Sequence, residues 1–319
     1  MNTASAKLTK SKSAKRSTPR FIVVSRKTRL QELVERFNTW PQAKFYLEHN
    51  NVDGQDYFAE NARYQECLLE AEQVLKPLGR FQLLERGFLA NYQFSPDDIV
   101  VVIGQDGLVA NTLKYLDGQP VIAINPDPFR WDGRLLPFEM GDLPSVVKRT
   151  LGDKVSEKSI TFAEAKTNDG QRMLGVNDLF IGPKSHTSAH YTIDWAGQQE
   201  TQSSSGIIVS TGFGSTGWLQ SILASAVGIS GIEQHALQGG FSWDEKRLQF
   251  AVREPFPSRN SSTNLVFGEV KQDKPLRLES LMPEDGVIFS DGIQSDYLAF
   301  NSGSIVSVGI AKTIGRLVT

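Results

Sequence analysis

Gly104-Gln105-Asp106-Gly107 is the stretch of this 319-residue chain best suited to chemistry. It follows Ile99-Val100-Val101-Val102-Ile103, a run of β-branched residues that fits a strand buried on both faces of a parallel sheet. Leu108 to Tyr115, behind it, reads as a helix. Glycines let a backbone pass close to oxygen atoms, and the amides at a helix start point toward negative charge, so this unit suits a phosphate. Asp106 is the residue that needs explaining. A carboxylate repels phosphate unless a metal intervenes or the carboxylate takes a proton from a substrate hydroxyl. The expectation is that Asp106 acts as a base for phosphoryl transfer.

The elements that must position this turn are legible on either side of it. Phe21-Ile22-Val23-Val24 reads as a first buried strand, followed by the basic turn Ser25-Arg26-Lys27-Thr28. That turn either meets phosphate or is a solvated helix entry. A helical pattern starts at Leu30, with Leu33, Val34 and Phe37 on one face. Tyr57 to Lys76 is a second helix, with Tyr64, Cys67, Leu68, Ala71 and Val74 as a core stripe. Val121-Ile122-Ala123-Ile124 is another buried strand, ending in Asn125-Pro126-Asp127-Pro128. This order predicts a Rossmann-like α/β unit with a parallel sheet, in which ligands bind at the carboxyl ends of strands. Asp106 and Asn125 both sit at such ends.

Past about residue 150, short alternating runs replace helical periodicity. Examples are Leu179-Phe180-Ile181, Tyr191-Thr192-Ile193, Gly206-Ile207-Ile208-Val209, Leu248-Gln249-Phe250-Ala251-Val252 and Val287-Ile288-Phe289. They predict a β-rich, sandwich-like second domain. Three polar clusters punctuate it: Asn177-Asp178, Ser210-Thr211-Gly212-Phe213-Gly214-Ser215-Thr216-Gly217-Trp218, and Asp291-Gly292. The middle one offers a row of amides and hydroxyls, with a helix expected from Leu219 to Ala226 to aim its positive dipole end at the loop. A plain β-turn is its simpler explanation, and Asn-Asp pairs are common turn formers.

Composition bounds the rest. The 34 basic and 36 acidic residues nearly cancel, which gives no electrostatic case for nucleic acid or membrane as partner. No apolar run is long enough to span a bilayer. The single cysteine, Cys67, excludes an internal disulfide and leaves a thiolate metal site without partners, in keeping with a cytoplasmic setting. Residues 1–20 hold Lys7, Lys10, Lys12, Lys15, Arg16 and Arg20 with no acid and almost nothing apolar. They read as a disordered basic tail rather than a transit peptide, which would need an amphipathic face.

Taken in order, Gly104-Gln105-Asp106-Gly107, Asn125, Asn177-Asp178, Thr211 to Trp218 and Asp291-Gly292 resemble the motifs of the NAD kinase family. That family has a Gly-Gly-Asp-Gly-Thr loop, a Gly-Ile-Asn strand end, an Asn-Glu or Asn-Asp pair and a Thr-Pro-Thr-Gly-Ser-Thr-Ala-Tyr loop. The match runs from about residue 97 to near the C-terminus. After the basic tail of residues 1–20, the resemblance implies an α/β nucleotide-binding domain over 21–150, a β-rich NAD-binding domain over 151–290, and a segment 291–319 that packs back on the first. It implies transfer of the γ-phosphoryl of ATP, with Mg²⁺, to the 2′-hydroxyl of the adenosine ribose of NAD. Asp106 would be the base. Gly104, Gln105 and Gly107 would face the phosphates, Asn125, Asn177 and Asp178 would hold the nucleotide, and Thr211, Gly214, Ser215 and Thr216 would line the site. A homo-oligomer, dimer or tetramer, is also implied.

The departures bear on the substrate. Gln105 stands at the family's second glycine and Leu108 at its threonine; Gly212-Phe213 replaces Pro-Thr, and Gly217-Trp218 replaces Ala-Tyr. Two alternatives therefore stay open: a kinase of another hydroxyl acceptor, sugar or lipid, and a nucleotide-binding protein without turnover. Outside these motifs, His186 and His190 have helical spacing in a non-helical region and no third ligand, so no metal site is expected there. His49 and His235 have no partner either. Arg253 and Arg259 either steer a phosphate or pair ions on the surface. Trp131-Asp132-Gly133-Arg134 is a candidate site-lining loop.

Overall fold

The structure, a computed structural model, describes residues 18–319 except 134, 153 and 232–235. Most of the basic tail, Arg134 and His235 therefore lie outside the described residues. Arg20, read as tail, opens the first strand, and its guanidinium makes two 2.6 Å hydrogen bonds to the buried Asp98.

The chain runs β1 (Arg20–Ser25), α1 (Arg29–Phe37), α2 (Trp40–His49), α3 (Gln55–Leu75), β2 (Arg80–Glu85), β3 (Asp98–Ile103), α4 (Asp106–Leu113), β4 (Pro120–Asn125), β5 (Phe138–Glu139) and α5 (Leu143–Leu151). It continues with β6 (Glu157–Thr167), β7 (Arg172–Gly175), β8 (Asp178–Pro183), β9 (Ala189–Trp195), β10 (Gln198–Ser204), β11 (Ile207–Ser210) and α6 (Trp218–Ser230). The last strands are β12 (Leu248–Val252), β13 (Phe267–Val270), β14 (Leu276–Ser280), β15 (Gly286–Ser290), β16 (Tyr297–Ala299) and β17 (Ile305–Val318).

β2, β1, β3 and β4 pair in parallel in that order. Every residue of β3 is buried, as a continuous β-branched run requires between two helical layers. On one face Val101 and Ile103 pack with Tyr64, Cys67 and Ala71 of α3 and Val146 and Val147 of α5. On the other, Val100 and Val102 pack with Val109 and Leu113 of α4. The pattern from Leu30 stops at Asn38-Thr39-Trp40-Pro41, where Thr39 is the N-cap of α2 and Pro41 lies in its first turn. Asn38 takes a left-handed φ of 62° and ends α1, and only Leu30 of α1 is fully buried.

The same sheet continues through β17 into β14, β9 and β10, with β6 and β7 branching from β17, giving eleven strands among the described residues. β17 joins the two textures. Arg316 and Leu317 pair in parallel with Pro120 and Val121, whereas its start pairs antiparallel with β14. A second, wholly antiparallel sheet runs β13-β12-β11-β8-β15-β16. Alternate residues of the two sheets interdigitate: Ala163, Tyr191, Ile193, Leu278 and Val308 meet Ile181, Val209, Phe250 and Ile288. The fold is thus a parallel α/β layer followed by a β-sandwich.

Candidate active site

Antiparallel pairing gathers the polar clusters at one edge of the six-stranded sheet. Asp178 at the start of β8 stands opposite Ser210 at the end of β11, and Leu179 opposite Ser290 at the end of β15. The loops leaving β11 and β15 therefore emerge beside Asn177-Asp178. They meet the start of α4 across a cavity of about 380 Å³ lined by Asp106, Leu135, Asn177, Asp178, Phe213, Gly214, Thr216, Gly217, Trp218, Trp243, Asp291 and Gly292.

Asp106 is the first residue of α4, half-buried, with Gln105 as the N-cap in an extended conformation. The Leu135 N–H donates to Asp106 Oδ1 at 2.9 Å, leaving Oδ2 without a hydrogen bond among the described residues. Gly107 is exposed, and a Cβ there would meet nothing within 4 Å. Gly104 is glycine for packing: a Cβ would come within 2.8 Å of Leu108 Cδ2. Leu108 itself is in the core.

The loop after β11 is held by hydrogen bonds within itself and to the flanking backbone of Val176 and Phe241. Thr211 Oγ1 donates to Val176 O at 2.5 Å and accepts from the Gly214 N–H at 3.1 Å. Ser215 Oγ donates to Gly212 O at 2.7 Å and accepts from the Phe241 N–H at 2.9 Å. Both hydroxyls are buried and spent on the backbone. Gly212 and Gly214 mark close approaches: a Cβ at either would stand 2.0 Å from Ser242 O and 2.1 Å from Asn177 O respectively. The departure at Gly212 thus reflects the segment that passes over it, and that segment brings Trp243 against Phe213, edge to face at 4.9 Å.

Carboxylates dominate the electrostatics. Asp178 is buried and carries no side-chain hydrogen bond among the described residues; burial and the charge of Asp291 push its carboxyl up to about 7. Burial pushes Asp291 up to about 6, although N–H donors from Asn177 and Val176 and the charge of Lys114 pull the other way. The Asn177 N–H donates to Asp291 Oδ1 at 2.6 Å. Asp291 adopts a left-handed φ of 56°, an uncommon conformation for a non-glycine residue that is held here by its turn.

Of the residues read from sequence, Asp106, Asn177, Asp178, Gly214 and Thr216 line this cavity; Gly104, Gln105, Gly107, Asn125, Thr211 and Ser215 do not. Asn125 is occupied locally: its Nδ2 donates to Trp131 O at 2.8 Å and its Oδ1 accepts from the Asp127 N–H at 3.1 Å. The loop it shapes returns to the site through Leu135. Leu135 and Trp243 carry no sequence signal that marks them for the site. Leu135 contributes a backbone N–H, and Trp243 depends on a long-range contact. The basic turn after β1 is engaged as well, since Arg26 pairs with Glu60 at 2.9 Å.

The architecture resembles two solved structures across nearly the whole chain. An NAD kinase from Archaeoglobus fulgidus in complex with ATP superposes with a TM-score of 0.58, at 15% identity, over 94% of this chain and 93% of that one. The fold is NAD kinase-like. A yeast NADH kinase complexed with NADH matches with a TM-score of 0.58, at 14% identity, over 95% of this chain and 84% of its own. No protein-family model matches the sequence, and no curated protein sequence matches it significantly. Likeness at this identity is a likeness of fold. No helix among the described residues is long and apolar enough to cross a membrane.

Proposed function

We propose that this chain is a kinase that moves the γ-phosphoryl of ATP onto the 2′-hydroxyl of the adenosine ribose of NAD or NADH. The observation that carries this reading is the meeting of Asp106 with Asn177, Asp178 and the Gly214–Thr216 turn around one cavity, on an NAD kinase-like fold. Asp106 takes the hydroxyl proton as the ribose oxygen bonds to the γ-phosphorus. The bond to the bridging oxygen breaks and ADP leaves. The Leu135 N–H fixes one carboxylate oxygen and so aims the other. Asn177 and Asp178 hold the acceptor; Asp178, with its raised pKa, donates when protonated and accepts when not. The exposed Gly107 lets donor phosphates approach the amides at the start of α4.

The Asp106 carboxylate opposes the charge of a triphosphate, so the donor would enter with a cation. Mg²⁺ carried by the donor phosphates would offset that charge, with the phosphate oxygens as its main ligands.

The test is an assay of the purified full chain with ATP, Mg²⁺ and NAD, reading NADP. Formation of NADP that requires both substrates is expected. ATP consumption only with a sugar or lipid hydroxyl would reassign the acceptor. Binding of NAD without transfer under any condition would leave a nucleotide-binding protein.

A further inference from the structure

The loop that joins β4 to β5 delivers the Leu135 N–H to Asp106 Oδ1. From Asp127 to Asp132 this loop has no buried side chain, and Phe129 is fully exposed. Leu136 is buried and fixes where the loop ends. The direction of the Leu135 N–H, however, is set by the chain before it, through the planar peptide it belongs to. Polar contacts must therefore order that stretch against the entropy of a free loop.

The strongest of these contacts comes from α3. Arg130 Nη1 and Nη2 donate to both oxygens of Asp56, at 2.8 and 2.6 Å, and Arg29 Nη2 donates to Asp56 Oδ2 at 2.7 Å. The two guanidiniums, Arg130 first, hold the Asp56 carboxyl well below the usual carboxylate range. Arg130 Nε also donates to Asp127 Oδ2 at 3.2 Å and closes the loop on itself. α3 grips the start of the loop as well, where Arg63 Nε donates to Pro126 O at 3.2 Å. Asp56 and Arg63 lie on one face of α3, two turns apart, and Tyr64, Cys67 and Ala71 fix that helix in the core. The remaining contact is local: Asn125 Nδ2 donates to Trp131 O at 2.8 Å.

The side chains of Arg130 and Asp56 are 25% and 45% exposed, so the pair adds little to stability, but its two parallel bonds fix a direction. We propose that Arg130 is a positioning residue of the candidate site. Its forked bond to Asp56 ties residues 126–132 to α3 and keeps the Leu135 N–H on Asp106, so that the other carboxylate oxygen faces the acceptor hydroxyl. The effect on turnover rests on the reading of Asp106 as the base; the clamp itself does not.

Amide hydrogen exchange and kinetics on the full chain, carrying isotope-labelled leucine, test this. Leu135 should exchange at least about tenfold faster in Arg130→Gln and in Asp56→Asn than in wild type. Leu113, inside α4, should stay within about twofold, which checks that each variant is folded. Either substitution should lower kcat for NADP formation at least about fivefold, with the KM for ATP and for NAD within about twofold. Added to Asp106→Asn, Arg130→Gln should cost less than about twofold, because the clamp acts through that carboxylate. Leu135 exchange unchanged in both variants would overturn the proposal, and so would a kcat loss that persists in full on Asp106→Asn. If no NADP forms at all, the kinase reading fails and Leu135 exchange alone decides the clamp. Unchanged exchange beside an inactive Asp106→Asn would remove the clamp and leave the kinase reading standing.

Discussion

Asp178 holds a carboxylate in a setting that favours its neutral form. Its native pKa lies near 7, above the ordinary carboxylate value, so the folded state binds the proton more tightly than the unfolded chain does. The stabilisation this gives is complete at low pH and is lost as pH rises toward 7. Asp178→Asn keeps the shape and removes the titration. Urea unfolding at pH 4 and pH 8 should show the variant gaining stability relative to wild type as pH rises, by on the order of 1–3 kcal/mol. A difference that does not change with pH would mean that the carboxyl is not held neutral. At this scale the sequence was informative about which polar side chains gather at the cavity. Asp106, Asn177, Asp178 and Thr216 are polar residues at strand or loop ends, and the cavity gathers them. It was silent about Leu135, which offers a backbone N–H, and about the backbone bonds that take up the polar groups of Asn125, Thr211 and Ser215. Residue type shows that a group can bond, not whether backbone or ligand takes the bond.

At the scale of elements, two glycines of the candidate site have opposite reasons for being glycine. Gly214 has no room for a Cβ beside Asn177 O, whereas Gly107 has free space on the first turn of α4. Gly214→Ala should therefore lose about 1–3 kcal/mol in denaturant unfolding. Gly107→Ala should hold or gain up to about 1 kcal/mol, since alanine lowers the entropy of the unfolded chain. If donor phosphates pass over α4, Gly107→Ala should nonetheless raise the KM for ATP several-fold; unchanged stability together with unchanged KM would remove the phosphates from that turn. The strands themselves were readable, because β3, β4, β8, β11, β12 and β15 are each built round a short, largely apolar run. The break between α1 and α2 is marked by Asn38, Thr39 and Pro41, which suit a left-handed helix end, an N-cap and a first helical turn. Register was out of reach: placing Ser210 and Ser290 beside β8 comes from pairing between distant segments.

Over the whole molecule, β17 joins the parallel layer to the sandwich. It pairs with β6 from Val306 to Val318, with β14 at one end and with β4 at the other. Its Val306 and Val308 sit in the sandwich core, and Leu317 and Val318 in the two helical layers. Removing residues 305–319 should leave no cooperative thermal transition by circular dichroism, because β6, β14 and β4 all lose a partner and three cores lose apolar contacts. A truncated chain that melts cooperatively at the wild-type temperature would show that the layers are independent.

The central claim is that Asp106 accepts the proton of the acceptor hydroxyl. It is tested most directly by the rate of NADP formation from ATP and NAD in Asp106→Asn, measured beside the dissociation constants of both nucleotides. The account predicts a fall in kcat of about 10²–10⁴-fold, the range typical of a lost general base, with both affinities held within a few-fold. A variant that makes NADP at the wild-type rate would contradict it.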